Sequence, residues 1–163
     1  MTKITLKGNE INTIGDVPKV GDKAPDFILV GENLDDVTLD NFKDKNKILS
    51  VVPSLDTPVC QTSTKLFNEK ATSFPDTVIL TISADLPFAM ARFCSSEKLD
   101  NIKPLSMMRS RNFAKDYGVL IEDGPLAGIT ARAVIVVDKH NMVIHSQLVK
   151  EIAEEPNYDA VLN

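Results

Sequence analysis

A chain of 163 residues, 43% hydrophobic and 25% charged, fits one soluble domain over residues 1–163 that can bury a core without disulfide or metal staples. Its formal net charge of −5, with Lys and Arg scattered, excludes a nucleic-acid phosphate backbone as the main partner. No stretch is apolar and long enough for a signal peptide or a bilayer span, so a cytoplasmic protein with no membrane partner is expected.

The first predicted element is a hairpin. Ile4–Lys7 and Glu10–Thr13 flank Gly8-Asn9 as the turn, which sets Lys7 opposite Glu10 and Leu6 opposite Ile11. A loop through Pro18, Gly21 and Pro25 leads to the apolar stretch Phe27–Val30, and Lys47–Val52 reads as a buried strand stopped by Pro53. A helix is predicted over Val59–Thr72, with Val59, Ser63, Leu66 and Phe67 on its apolar stripe and Lys65 paired with Glu69 outside. Val78–Ile82 is the next buried strand, a second helix starts near Pro87, and Arg111–Tyr117 forms a third that Gly118 caps. Ala133–Val137 is a core strand, turned through Asp138–Asn141 into an antiparallel Met142–Ser146. From Val149 a last helix is expected, broken or restarted at Pro156. Strands alternating with helices, then a hairpin and a final helix, predict an α/β sandwich with a mixed central sheet. Periodicity does not choose among α/β folds.

Two cysteines are too few for a secreted disulfide scaffold. A free Cys is commonly a small buried hydrophobe, so each must show its local chemistry before it counts as functional. Cys60 shows it. The run Val52-Pro53-Ser54-Leu55-Asp56-Thr57-Pro58-Val59-Cys60 is a strand end, a loop and a helix start. Thr57 suits the N-cap and Pro58 the first helical position. Cys60 then falls in the first helical turn, where unpaired N–H groups and the helix dipole favour a thiolate. Such a strand-to-helix junction is also where α/β sheets bind ligands. Arg132, at the head of the Ala133–Val137 strand, either faces a charge or snorkels to solvent, and the residues alone do not choose. Cys94 shares a stripe with Leu86, Met90 and Ala91, which reads as a packed apolar position in the reduced protein.

Pro53-x-x-x-Thr57-x-x-Cys60 resembles the active-site signature of the peroxiredoxins, and Ser83-Ala84-Asp85-Leu86-Pro87-Phe88-Ala89-Met90-Ala91-Arg92-Phe93-Cys94 resembles that of their bacterial thiol peroxidase subfamily. The likeness continues through Asn68, Tyr117-Gly118-Val119, Asp123-Gly124-Pro125-Leu126, Ala131-Arg132-Ala133 and Ser146-Gln147-Leu148-Val149, and so covers essentially the whole chain. The resemblance implies a thioredoxin-like fold with the N-terminal hairpin as a subfamily addition, and a homodimer. It implies that Cys60 is the peroxidatic cysteine and Cys94 the resolving one, joined as an intrachain disulfide. It further implies a Thr57 hydroxyl beside the sulfur and the peroxide, Pro53 shielding the pocket, and Arg132 reaching in from a neighbouring strand. The implied substrates are hydrogen peroxide and alkyl hydroperoxides, and the implied reductant is thioredoxin. Phe88, Leu86 and the apolar character of their helix point to organic peroxides.

A free thiol is a few per cent ionised at neutral pH, so complete ionisation gains at most about 30-fold, part of it returned through lower nucleophilicity. The larger share must come from holding the peroxide in line and stabilising the departing oxygen. With both cysteines in helical turns, a disulfide between them requires at least one turn to unwind, because the two Cα atoms must come within about 7 Å.

Other constellations are weak. The two histidines, His140 in a turn and His145 on a strand, make no zinc set with two distant cysteines. No Gly-rich phosphate loop is present and no cofactor is expected. Met107-Met108 reads as core. A thioredoxin-type reductase would carry CxxC at the helix start, where this chain has Thr57-Pro58-Val59-Cys60. A redox sensor using the same two cysteines is not separated from an enzyme by sequence.

Overall fold

Lys7 and Gly8 both take positive φ, 50° and 82°, and together they close the hairpin between β1 (Thr2–Leu6) and β2 (Asn9–Thr13). That is the geometry of a two-residue turn whose twist matches the strands. The turn is therefore Lys7-Gly8 and not Gly8-Asn9, and Leu6 faces Asn9 while Ile4 faces Ile11. The observed register wins because it stacks two isoleucines, both buried, on one face of the hairpin. The computed structural model describes residues 2–71 and 73–162.

The remaining strands form one seven-stranded mixed sheet in the order β4-β3-β7-β6-β5-β8-β9. They are β3 (Leu29–Val30), β4 (Asp36–Val37), β5 (Asn46–Val51), β6 (Thr77–Ser83), β7 (Ile102–Ser106), β8 (Ala133–Val137) and β9 (Val143–Leu148). β5, β6 and β7 run parallel; β8 pairs antiparallel with both β5 and β9. The helices are α1 (Pro58–Ala71), α2 (Pro87–Ser96), α3 (Asn112–Asp116) and α4 (Tyr158–Leu162), with a 3-10 turn over Leu39–Phe42. The predicted end of the first helix at Thr72 lies outside the described residues.

Alternation along the strands divides the core into two layers. Ile48, Ile79, Ile102, Val134 and Val136 point to one face and pack with Phe67 of α1 and Cys94 of α2. Leu49, Val51, Leu80, Ile82, Ile135 and Val137 point to the other, against Phe113 and Tyr117 at α3 and Phe27 before β3. Phe113 and Tyr117 stack there at 4.4 Å between ring centroids, and the Tyr117 hydroxyl donates to the Pro25 carbonyl. Gly118 has φ 67° and closes α3, as expected; a Cβ there would meet the Asp16 backbone at 2.2 Å.

Several expectations change. The buried face of α1 is Cys60, Ser63, Thr64 and Phe67, rotated from the predicted stripe, with Val59 and Leu66 only half-buried. Lys65 has an ion-pair partner that was not predicted, Glu97 at 3.2 Å, which ties α1 to the end of α2. β7 has no counterpart among the predicted elements, and it carries Pro104, a residue that fits poorly in a central strand. The structure accommodates Pro104 because β7 pairs with β6 along its length but meets β3 only at Ser106. The predicted helix from Val149 is absent over residues 149–155. Its backbone pairs instead with β1, through Thr5 N to Lys150 O and Ile152 N to Thr5 O, and helix resumes only at Tyr158. No described helix is long and apolar enough to cross a membrane.

Candidate active site

The loop between β5 and α1 leaves the carboxyl end of a central parallel strand, the edge where α/β sheets place ligands. Pro53 is buried at the strand exit. Val52 N donates to Ile82 O at 2.9 Å, and the buried Thr130 hydroxyl donates to Val52 O at 2.8 Å. The loop is then clamped by one carboxylate: Asp85 accepts from the Ser54 hydroxyl and the Leu55 N–H, each at 2.8 Å. Sequence reasoning missed Asp85 and Thr130 as supports. The available signal for Asp85 was its place just past β6, the strand beside β5.

Thr57 holds the N-cap position of α1 by its backbone, since its carbonyl accepts the first helical bond, from Gln61 N at 3.0 Å. Its hydroxyl donates backwards to the Ser54 carbonyl at 3.0 Å and so tightens the loop. Pro58 takes the first helical position, as predicted. Cys60 is then the third helical residue, whose N–H has no carbonyl one turn earlier within the helix. Its side chain is 0% exposed and packs with Val52, Leu55 and Met90.

Arg132 resolves the choice left open by the sequence. It is 2% exposed and does not snorkel to solvent. The parity that turns Val134 and Val136 toward α1 carries Arg132 to the same face. Its Nη1 donates to Cys60 Sγ at 3.1 Å and its Nε to the Ile152 carbonyl at 3.0 Å. A guanidinium taken out of water is costly unless acceptors meet it, and here the Ile152 carbonyl and the Cys60 sulfur do.

Of the five residues singled out, Cys60 and Arg132 are in direct contact, and Pro53 and Thr57 frame the loop that carries Cys60. Cys94 stands apart. Both thiols are free, and Cys94 belongs to the apolar layer with Phe67, Leu99 and Ile102. Burial, with a smaller contribution from Glu32, pushes its thiol up to about 11. The α2 residue that packs on Cys60 is Met90; Cys94 lies one helical turn farther along, about 6 Å by helical rise. Phe93 packs against both clusters. Leu86, placed on the Cys94 stripe by sequence, is instead the 53% exposed N-cap of α2. A cleft of about 610 Å³ opens beside Cys94, walled in part by Glu32, Asp100 and Lys103, and Cys60 is not on its wall. Among the described residues no group of His, Cys, Asp and Glu is placed to hold a metal ion.

A family profile described as Redoxin matches residues 19–162. A protein of Mycobacterium tuberculosis named thiol peroxidase is 49% identical over 162 residues, covering 99% of this chain and 97% of the relative. Among solved structures, a peroxiredoxin-like protein from Aquifex aeolicus matches with a TM-score of 0.93 at 45% identity, over 100% of this chain and 95% of that one. A thiol peroxidase from Chromobacterium violaceum matches with a TM-score of 0.91 at 30% identity, over 98% of this chain and 92% of that one. The chain belongs to the redoxin family, in the thiol peroxidase branch of the peroxiredoxins. Its fold is the thioredoxin-like one that the resemblance implied, hairpin included.

Proposed function

We propose that the chain is a thiol peroxidase that reduces hydrogen peroxide and alkyl hydroperoxides in the cytoplasm, with Cys60 as nucleophile and thioredoxin as reductant. The observation that carries the reading is the buried contact of Arg132 Nη1 with Cys60 Sγ at 3.1 Å, at a helix start. The Cys60 thiolate attacks one peroxide oxygen. An S–O bond forms, the O–O bond breaks, and the departing oxygen leaves as water or alcohol after taking up a proton. Sulfur is oxidised to sulfenic acid as the peroxide is reduced, two electrons each way. Arg132 and the Cys60 N–H are the donors that align the peroxide and stabilise charge on the leaving oxygen. The Thr57 hydroxyl, its proton held by the Ser54 carbonyl, offers its lone pairs to a peroxide O–H, while Pro53 excludes water. The exposed Leu86 and Phe88, at the start of the helix whose Met90 covers Cys60, support an apolar R group on the substrate.

Resolution follows by attack of Cys94 sulfur on the sulfenic acid, forming the disulfide and releasing water. Cys94 is a neutral, buried thiol one helical turn beyond Met90, the α2 residue that packs on Cys60, and it lies in a different apolar cluster, so α2 must open first. α2 has 10 residues, a length marginal as an isolated helix, so the buried contacts of Met90 and Cys94 are what its opening must break. The thioredoxin dithiol then reduces the disulfide, and the enzyme works as a homodimer.

The test is turnover with a thioredoxin-regenerating system and excess peroxide. Many peroxides consumed per chain are expected. Consumption that halts after one oxidising equivalent per chain would instead identify a redox sensor.

A further inference from the structure

The guanidinium of Arg132 is aimed by two contacts, and the second of them leads away from the sheet. Its Nε acceptor, the Ile152 carbonyl, lies in the irregular segment between β9 and α4. That segment is held by the N-terminal hairpin. Thr5 N donates to Lys150 O at 2.6 Å and Ile152 N to Thr5 O at 3.0 Å, making a parallel bridge between Thr5 and Glu151. The Ile152 side chain packs between Ile4 and Ile11 of the hairpin and Ala131, the neighbour of Arg132.

The Glu151 carboxylate fastens this contact from both sides. One oxygen accepts from Gly8 N at 2.9 Å, in the hairpin turn, and from the Thr5 hydroxyl at 3.0 Å. The other accepts from Ala153 N at 2.9 Å, just past Ile152. These donors, the Ala153 and Gly8 backbones foremost, hold the carboxyl at about 2, so it stays ionised at neutral pH. Charge-assisted hydrogen bonds of this kind are short and geometrically specific. A two-stranded hairpin alone is marginal in water, so hairpin and segment fix each other.

We infer that Glu151 is a positioning residue for Arg132: its carboxylate clamps the 150–153 segment to the N-terminal hairpin, so that the Ile152 carbonyl meets and orients the guanidinium over Cys60. The inference rests on the proposed role of Arg132 in peroxide reduction. It gives the hairpin, which lies outside the seven-stranded sheet, a part in catalysis without contact to the reacting atoms.

The test is a double-mutant cycle on the second-order rate of Cys60 oxidation by hydrogen peroxide, followed in the full chain. Glu151→Ala is expected to slow oxidation about tenfold, less than the hundredfold that a full 1 Å misplacement can produce. In an Arg132→Met background the same change should alter the rate less than about twofold, because the residue it positions is gone. A general loosening of the fold would lower the rate by the same factor in both backgrounds, and that result would overturn the inference. Thr5→Val removes one donor to the carboxylate and carries the same cycle if Glu151→Ala does not fold. A smaller loss that also vanishes with Arg132→Met supports the clamp, and no loss overturns it. Arg132→Met oxidising as fast as wild type would overturn the role of Arg132 together with the clamp, whereas a slow Arg132→Met beside an unaffected Glu151→Ala would overturn the clamp alone.

Discussion

Cys60→Ser abolishes peroxide consumption. A neutral hydroxyl is a poor nucleophile toward peroxide, and the Arg132 and helix-start contacts cannot ionise an alcohol at neutral pH. The substitution is close in size and sits against Val52, Leu55 and Met90, where burying a hydroxyl costs about 1–3 kcal/mol without a partner. Arg132 Nη1, 3.1 Å from the present sulfur, is available as that partner, so the variant should fold, which circular dichroism checks. With folding intact, near wild-type turnover would remove Cys60 as the nucleophile.

Arg132→Met slows the first oxidation of Cys60 by about 10²–10³-fold, the range found when one donor to developing charge is removed. No more than about 30-fold of such a loss can come from a smaller thiolate population at neutral pH. The remainder is lost stabilisation of the departing oxygen. Met keeps much of the buried volume but leaves the Ile152 carbonyl without the Arg132 Nε donor, an unmade hydrogen bond of about 1–3 kcal/mol in stability. The check is to titrate Cys60 and measure the peroxide rate on the same variant. A rate that falls only in proportion to the thiolate fraction would leave Arg132 with no part in the transition state.

The local signals in the sequence carried the fold class and the helix start at Cys60, but not every element or contact. Thr57 and Pro58 mark a helix start by short-range chemistry, and the structure places Cys60 in that first turn. Ala133–Val137 is apolar on both faces and is a central strand with those bounds. Where reading failed, the deciding partner was distant or the local rule was overridden. β7 went unpredicted; it is a short strand whose Pro104 is tolerated because β3 covers only its last residue. The 149–155 segment has helical composition, but its backbone partner is Thr5, at the far end of the chain. The hairpin register turned on two positive φ values at Lys7 and Gly8, only one of which is a glycine. Arg132 was legible as an anomaly, but its direction required the parity of β8 and the Ile152 carbonyl. The support that Asp85 gives the Cys60 loop needed the sheet order, which no single segment encodes.

In the proposed cycle Cys60 takes the oxygen and Cys94 of the same chain resolves it. The most direct measurement adds one equivalent of hydrogen peroxide to the reduced protein, quenches with an alkylating agent and maps the peptides without reduction. Both free thiols are expected to disappear together into one crosslinked pair carrying Cys60 and Cys94, with the chain monomeric on a denaturing non-reducing gel. A covalent dimer with no intrachain pair, or oxidation at Cys94 with Cys60 still alkylated, would contradict it.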